Sequence, residues 1–295
     1  MTNSYETLDP LLVASLFQSA LPPRKLDAHK GDAGSVAIVG GDSGMQGAVV
    51  LASRAALLMG AGRVYACMLA SDKPMLDLSY PEIMLRTHDT LTQLKQLDAL
   101  VLGPGLGQSQ AAMALLAFWL KQSVPLLLDA DALNLMAQHP HLVELCRARL
   151  SNTVITPHAA EAARLLGSSS AEIQKNRRES AMKLAEMLHA SCVLKGAASL
   201  CAHYSGACFV NTSGNPSLAT AGMGDVLSGM VGGFMAQGMA GLEAIKLAVF
   251  VHGAAADKLV SEGLGPHGLT ASELMLAARS VLNQLNAASS HLRLP

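Results

Sequence analysis

Charge is scarce in this sequence and is not clustered. Only 15% of its 295 residues are charged, the formal net charge is −1, and no run of Lys and Arg is longer than a pair. Proteins that bind nucleic acids usually carry clustered Lys and Arg on one surface. We therefore expect no nucleic-acid partner.

Cysteine pairs with the spacing of metal ligands are also missing. The five cysteines are scattered, their number is odd, and no two of them are separated by only two residues. A zinc site or a disulfide framework is therefore not expected. We assign no metal ligands from the sequence.

Long apolar segments and a secretory leader are missing as well. No segment approaches 20 apolar residues without glycine or charge, and the N-terminus has no basic stretch followed by an apolar one. A membrane-spanning helix needs about 20 apolar residues, and a leader needs both of those regions. We expect a cytoplasmic protein with no membrane partner.

What the sequence does have is apolar content in a regular arrangement. Hydrophobic residues make up 51% of the chain, and short apolar runs alternate with longer helix-like segments. This alternation predicts βαβ units and a largely parallel sheet. No linker interrupts it, so residues 1–295 are expected to form one α/β domain. The predicted strands are 36–39, 64–68, 99–102, 126–128, 154–155 and 192–194, with a hairpin at 199–204 and 207–210.

Helices are predicted between these strands, and a surface helix is predicted within the first 25 residues. The segment 171–189 is long, charged and amphipathic, which indicates one continuous helix. The other predicted helices are 48–59, 111–120, 131–138, 225–237 and 242–260.

The strongest local pattern is a glycine-rich loop that leads into the helix predicted at 225–237. Glycine lets the backbone approach an anion closely, and the free amides and dipole of a helix N-terminus attract phosphate. Gly222, Met223 and Gly224 are therefore the predicted anion hole. Asp225 at the helix start is either a helix cap or a base that takes a proton from a hydroxyl, and the pattern alone leaves both interpretations open.

Further candidate segments follow other predicted strands, at the edge where α/β sheets bind ligands. The glycine-rich segments 40–48 and 103–107 are either substrate loops or merely tight turns. Asp131 is expected to cap a helix, whereas Asp129 is either a cap or a residue that binds Mg²⁺ through water. His158 and Lys195 lie just past their strands, and each is either a ligand contact or a structural surface residue.

Together these motifs resemble those of the NAD(P)H-hydrate dehydratases. Gly222-Met223-Gly224-Asp225 is similar to the GxGD signature of the ribokinase-like superfamily, and residues 211–229 are similar to the longer dehydratase signature. Met223 departs from the Ser or Thr that is common there, and Ala159 and Ala160 replace the Pro-Gly of a TPHPGE motif. The other matching motifs occur in the family's order from residue 29 to 257: HKGxxG at 29, GPGLG at 103, LDADALN at 128, TPH at 156 and KGxx[ST] at 195.

The resemblance implies a ribokinase-like fold, with a mostly parallel central sheet and helices on both faces. It also implies an enzyme that phosphorylates the C6 hydroxyl of hydrated NADH or NADPH, using ADP (or ATP, as in some relatives) with Mg²⁺, and then eliminates phosphate to regenerate NADH or NADPH. Asp225 would be the catalytic base and would also contact the substrate. The other substrate contacts would be Ala48, Gly105 and His158, and the nucleotide contacts would be Lys195, Gly196, Ala197, Ala198, Ser199 and Gly224.

The same resemblance also implies which protein partners to expect. Bifunctional relatives carry an epimerase domain ahead of the dehydratase domain, and only about 28 residues precede His29 here. We therefore expect any NAD(P)H-hydrate epimerase to be a separate protein. A homo-oligomer is expected, with a tetramer favoured.

Two other functions are compatible with a GxGD signature. One is a ribokinase-like small-molecule kinase of the hydroxymethylpyrimidine or hydroxyethylthiazole type, which would release a stable phosphate ester. The other is a non-catalytic nucleotide-binding protein. The HKGxxG, GPGLG and TPH motifs argue against the kinase, and Asp225 argues against a protein without catalysis.

Overall fold

The central element of the molecule is a mostly parallel β-sheet. A computed structural model describes residues 9–18, 20–21 and 26–287. The strands are β1 (Ser35–Gly40), β2 (Arg63–Met68), β3 (Met84–Leu85), β4 (Ala99–Leu102), β5 (Leu126–Leu128), β6 (Thr153–Ile155), β7 (Ser191–Leu194), β8 (Ser199–His203) and β9 (Cys208–Asn211). They form one sheet in the order β3-β2-β1-β4-β5-β6-β7-β8-β9.

Strand direction brings distant parts of the chain to one edge of this sheet. All neighbouring pairs among β1 to β7 are parallel, whereas β8 is antiparallel to both β7 and β9. Two reversals give β9 the same direction as β7. The residues that follow β1, β4, β5, β6, β7 and β9 therefore all lie at the carboxyl edge, where α/β sheets bind ligands.

Helices cover both faces of the sheet and create two apolar cores. Successive strand residues point to opposite faces, so Val36 and Ile38 join one core while Ala37 and Val39 join the other. The first core contains α1 (Gln46–Leu58), α9 (Met223–Ala236), α10 (Gly241–Ser261) and α11 (Ala271–Ala287). The second contains α2 (His88–Thr92), α3 (Gln110–Leu120), α4 (Asp131–Gln138), α5 (Pro140–Arg147), α6 (Ala159–Leu166), α7 (Ser170–Lys175) and α8 (Arg177–Leu188).

The predicted α/β architecture and its strands are confirmed, with helices on both faces. Every predicted strand overlaps an observed one within a few residues, and the predicted hairpin is β8 and β9. The two-residue β3 was not predicted, since so short a segment carries no periodic pattern. Among the helices described, none combines the length and apolarity that crossing a membrane requires.

The helix predictions were less accurate. The single helix predicted at 171–189 is wrong, because the chain leaves the helical conformation at Asn176, with φ −123° and ψ 48°, and continues as α8. The amphipathic pattern runs through this break, so periodicity does not reveal it. No element was predicted where α2, α5, α6 and α11 lie.

The surface helix predicted near the N-terminus is wrong for the residues that the structure describes there, 9–18 and 20–21. Residues 1–8, 19 and 22–25 of the predicted surface helix lie outside the described residues. The described part contains only a 3₁₀ turn, Ala14–Phe17, whose Phe17 is buried against Phe250. The backbone of Leu12 donates to Val210 of β9 at 2.8 Å, so this segment extends the sheet rather than covering its surface as a helix.

Glycines let α9 approach its neighbours closely. A β-carbon at Gly229 would clash with the carbonyl oxygen of Ala52 in α1, and one at Gly232 would clash with Val101 of β4. Only a hydrogen atom fits at these two positions. These glycines therefore hold α9 tightly against α1 and β4.

Substituting Gly229 with Ala should destabilise the protein, because α9 would have to move away from α1. Overpacking of this kind costs about 1–3 kcal/mol. Thermal and urea unfolding should show a lower midpoint. Gly47→Ala is the matched control, since Gly47 also lies in a helix but has no atoms within 4 Å of a β-carbon. That change should stabilise slightly, and equal behaviour of the two variants would contradict the proposed packing.

Candidate functional site

The candidate site lies at the carboxyl edge, where the N-terminus of α9 meets the loops after β1, β4, β5, β6 and β7. Gly222 is the N-cap of α9 with φ 86°, a left-handed conformation that glycine adopts without strain. Asp225 is the third residue of the helix, and its side chain caps nothing. The interpretation of Asp225 as a helix cap is therefore excluded.

Two backbone amides at the start of α9 are free to bind an anion. Within the described residues, the N–H groups of Gly224 and Asp225 donate to no other group, whereas that of Met223 approaches the carbonyl of Thr220 at 3.4 Å. The side chain of Met223 is buried in the core. The free donors of the predicted anion hole thus include the amide of Gly224 but not the side chain of Met223, and the amide of Asp225 adds a donor that was not predicted.

Lys195 brings a positive charge to this helix terminus. Its Nζ lies 2.8 Å from Oδ1 of Asp129 and 4.0 Å from Oε2 of Glu161. A β-carbon built at Gly224 would lie 3.6 Å from the same Nζ. Lys195 is therefore not a solvated surface residue, and its ammonium lies between two buried carboxylates and the first turn of α9.

Burial and neighbouring charges shift the ionisation of these groups. Burial and the charge of Asp129 together raise the pKa of Asp225 to about 6, while Lys195 opposes the rise. Burial alone would lower the pKa of Lys195, but the charges of Asp129 and Glu161 raise it above its ordinary value. At neutral pH the site thus holds an ionised Asp225 that is more basic than an exposed carboxylate, beside a protonated lysine.

The loops after β1 and β4 lie side by side. Gly105 has φ 56°, and a β-carbon there would lie 2.7 Å from the backbone oxygen of Met45 and 3.3 Å from Cβ of Ala48. The backbone N–H of Asp42 donates to the carbonyl of Gly105 at 2.7 Å and locks the two loops together. The structure therefore brings together two of the residues predicted to contact substrate.

The prediction that Asp131 caps α4 is wrong. Ala130 is the N-cap, and Asp131 is the first helical residue. Its Oδ2 accepts the backbone N–H of Gly107 at 2.9 Å. The contact spans 24 residues of sequence, so Asp131 shapes the GPGLG loop instead of its own helix.

His158 caps α6 and remains half exposed. Its Nδ1 accepts the backbone N–H groups of Ala160 and Glu161, while the side chain of Glu161 accepts the backbone N–H of His158 at 2.7 Å. Burial lowers the pKa of His158, and the charge of Lys195 lowers it further. Because Ala159 occupies the first helical position, where proline is also well tolerated, its replacement of proline leaves the helix start intact.

The turn at 195–199 closes on itself beside Arg177. The hydroxyl of Ser199 donates to the carbonyl of Gly196 at 2.9 Å, and Gly196 and Ala198 have φ of 141° and 52°. The guanidinium of Arg177, at the start of α8, donates to the carbonyl of Leu194 at 3.1 Å. Arg177 thus holds the predicted nucleotide turn, a role that was not predicted from the sequence.

Two residues of α10 hold the glycine-rich loop and were not predicted. The carboxylate of Asp257 accepts the backbone N–H of Gly214 at 2.8 Å and the side-chain amide of Asn215 at 2.9 Å. Nε2 of His252 donates to the carbonyl of Met223 at 3.0 Å. Burial lowers the pKa of His252 to about 4, so it is neutral at physiological pH. In the sequence, Asp257 and His252 are recognisable only as polar residues within an otherwise apolar helix.

No dedicated metal centre is present in the part of the chain that the structure describes. No three His, Cys, Asp or Glu side chains there are grouped so that they could hold a metal ion. Asp129, which the sequence left open as a Mg²⁺ residue, is already paired with Lys195. The residues present therefore do not fit a cation cage built from protein alone.

Comparison with known proteins gives consistent matches. The family model described as NAD(P)H-hydrate dehydratase matches residues 36–277. The ADP-dependent (S)-NAD(P)H-hydrate dehydratase of Neisseria meningitidis serogroup B is 42% identical over 279 residues, which are 93% of this chain and 94% of that protein. The bifunctional NAD(P)H-hydrate repair enzyme Nnr of Coxiella burnetii is 40% identical over 89% of this chain. This chain spans about half the length of that bifunctional relative, 53%.

A solved structure is similar over most of the chain. The ADP/ATP-dependent NAD(P)H-hydrate dehydratase from Bacillus subtilis, co-crystallised with ATP/Mg²⁺, superposes with a TM-score of 0.84 at 28% sequence identity. The match covers 95% of this chain and 100% of that structure.

Removing the Asp257 carboxylate should open the glycine-rich loop. A hydrogen bond to a charged group contributes about 1.5–3 kcal/mol, so in Asp257→Ala the amide of Gly214 should exchange with deuterium about ten- to a hundredfold faster. Hydrogen–deuterium exchange of residues 211–217 measures this. Glu262→Ala, which removes an exposed carboxylate just after α10, should leave the exchange unchanged, and identical protection in both variants would contradict the anchoring role.

Proposed function

The chain belongs to the NAD(P)H-hydrate dehydratase family, and we propose that it is an ADP-dependent (S)-NAD(P)H-hydrate dehydratase, a lyase that repairs damaged nicotinamide nucleotides. Its fold is ribokinase-like. The relative with that name and activity is matched over nearly its whole length. Hydrated NADH or NADPH and ADP are the substrates, and NADH or NADPH, AMP and phosphate are the products.

The reaction has to turn a poor leaving group into a good one. Asp225 takes the proton from the C6 hydroxyl of the hydrated nicotinamide, and the freed oxygen attacks the terminal phosphorus of ADP, releasing AMP. The C6–O bond of the resulting phosphate ester then breaks, assisted by the electron pair of the ring nitrogen. Loss of a proton from C5 restores the dihydronicotinamide.

One observation carries this proposal. The carboxylate of Asp225 has no hydrogen-bond partner among the described residues, although it lies beside two free amides and the Lys195 ammonium. A carboxylate with a structural role would be paired. An unpaired one, with a raised pKa, is suited to accept a proton while the amides and the lysine stabilise charge on the transferring phosphoryl group.

The remaining site residues are assigned by position. We propose that Ala48 and Gly105 contact the hydrated nicotinamide, since they adjoin each other across the loops after β1 and β4. The exposed part of the His158 ring faces the same substrate.

The nucleotide side of the site is assigned in the same way. Lys195, Gly196, Ala197, Ala198, Ser199 and Gly224 contact ADP. Mg²⁺ is expected on the phosphates of the donor, because the described residues supply no cage for it; bound there, it offsets their negative charge.

The domain organisation, location and assembly of the protein are proposed as follows. We propose that residues 1–295 form one domain, because all nine described strands share one sheet. We also propose a cytoplasmic homo-oligomer, with a tetramer favoured, acting beside a separate NAD(P)H-hydrate epimerase. The large apolar side chains of Met75 and Leu78, 97% and 90% exposed, support the oligomer.

The decisive experiment follows NADH absorbance when the protein is incubated with chemically hydrated NADH. ADP should restore the absorbance and release AMP and phosphate, and ATP is tested separately. Asp225→Asn should lower kcat by about 10²–10⁴-fold, the usual contribution of a general base, and should leave the thermal midpoint nearly unchanged.

Glu243→Gln, which changes an exposed carboxylate on α10, serves as the control and should retain full activity. A stable phosphorylated alcohol formed from hydroxymethylpyrimidine or hydroxyethylthiazole, with no recovery of NADH, would instead establish a small-molecule kinase. Near-normal turnover by Asp225→Asn would remove Asp225 from the mechanism.

The pH dependence of kcat/KM should report the ionisation of Asp225. Because burial raises its pKa to about 6 and the base must be ionised, kcat/KM should be level above pH 6. Below that pH it should fall about tenfold per pH unit. If kcat/KM instead began to fall only near the ordinary pKa of Asp, about 4, Asp225 would not be the titrating base.

A further inference from the structure

A carboxylate that takes no part in the proposed proton transfer lies directly behind the anion site. The side chain of Asp129, just after β5, is 2% exposed. Its two oxygens have different partners: Oδ1 accepts the Lys195 ammonium at 2.8 Å, and Oδ2 accepts the Ser228 hydroxyl at 2.6 Å. A buried carboxylate is costly unless it is paired, and both partners belong to elements that form the anion site.

The position of Lys195 depends on this carboxylate. A lysine side chain is flexible and loses much rotamer freedom when it is held in one place. Glu161 lies 4.0 Å from the ammonium, too far for a hydrogen bond. Asp129 is therefore the residue that holds the ammonium by a hydrogen bond in the described part of the chain.

The second partner ties the same carboxylate to the helix that carries the base. Ser228 lies three residues after Asp225, so the two side chains are neighbours on α9. A bond from Ser228 to Asp129 therefore fixes the lysine relative to the first turn of α9. The distance from Nζ to a β-carbon built at Gly224, 3.6 Å, shows how close the two elements are.

Resting on the function proposed above, we propose that Asp129 is a positioning residue. By bonding Lys195 on one oxygen and Ser228 on the other, it holds the lysine ammonium against the free amides of α9, where the phosphoryl group is transferred. Asp129 acts through Lys195 and touches neither substrate.

A double-mutant cycle tests whether Asp129 acts through Lys195. AMP affinity is measured by calorimetry for the wild type, Asp129→Asn, Lys195→Met and the double variant. With Lys195 present, Asp129→Asn should weaken AMP binding about ten- to a hundredfold, the range seen when the hydrogen-bond partner of a metal ligand is lost. In the Lys195→Met background the same change should alter affinity by no more than about twofold. Equal losses in both backgrounds would overturn the proposal.

A pH profile separates positioning from a merely structural role. Two charged groups act on Asp225: Asp129, at the end of β5, and Lys195, at the end of β7. Glu161 of α6 lies next to the lysine, and the neutral His252 of α10 bonds the backbone of Met223. Asp129 raises the pKa of Asp225 and Lys195 lowers it. The acid limb of kcat/KM should move to lower pH in Asp129→Asn and to higher pH in Lys195→Met, and unmoved limbs would count against the proposal.

Asp77→Asn is the matched control, since it removes a different buried carboxylate that is paired with Arg54 at 2.7 Å. It should lower the thermal midpoint without changing AMP affinity or the acid limb. If Asp129→Asn does not fold, Ser228→Ala replaces it in the cycle. That variant should weaken AMP binding several-fold only when Lys195 is present, and equal losses in both backgrounds would again overturn the proposal.

The two proposals fail in different ways. Recovery of NADH by the wild type tests the dehydratase function, whereas AMP binding requires no turnover. A wild type that binds AMP with the predicted coupling but does not restore NADH would refute the dehydratase function alone. A wild type that restores NADH without coupling between Asp129 and Lys195 would refute the positioning role alone.

Discussion

The ammonium of Lys195 balances the negative charge gathered at the carboxyl edge of the sheet. Asp129 and Glu161 are buried beside it, and Asp225 lies on the helix turn that it faces. Carboxylates cannot be buried at this density without a counter-charge, because each loses its hydration. The ends of β5 and β7 and the start of α9 therefore converge around the positive charge of Lys195.

Burial and charge act against each other on Asp225, and their opposition suits a base. Burial raises its pKa to about 6, while Lys195 limits the rise. An exposed carboxylate would be ionised but weakly basic, and one buried without a lysine would tend to stay protonated. The observed arrangement keeps Asp225 ionised at neutral pH and more basic than usual, which is what proton transfer from a hydroxyl requires.

Short sequence patterns predicted the features of this fold that are formed by neighbouring residues, but not its long-range side-chain contacts. All strands of the sheet except β3, and the glycine loop before α9, were predicted because apolar runs and glycine clusters are visible in short stretches of sequence. The role of Asp129 was not, because its partners lie 66 and 99 residues away. Asp131 was misread as a helix cap for the same reason, since its contact with Gly107 is long-range. The roles assigned to the site residues toward substrate and nucleotide stay predictions.

The departures from the family pattern change side chains at places where the backbone supplies free amides or starts a helix. Met223 lacks a hydroxyl, yet its side chain points into the core, and the free amides belong to Gly224 and Asp225. Ala159 starts α6 in place of proline, and the helix start is held by the reciprocal bonds of His158 and Glu161. An anion site made of amides and a helix dipole depends on main-chain geometry. Such a site would tolerate side-chain changes that leave the helix starts where they are.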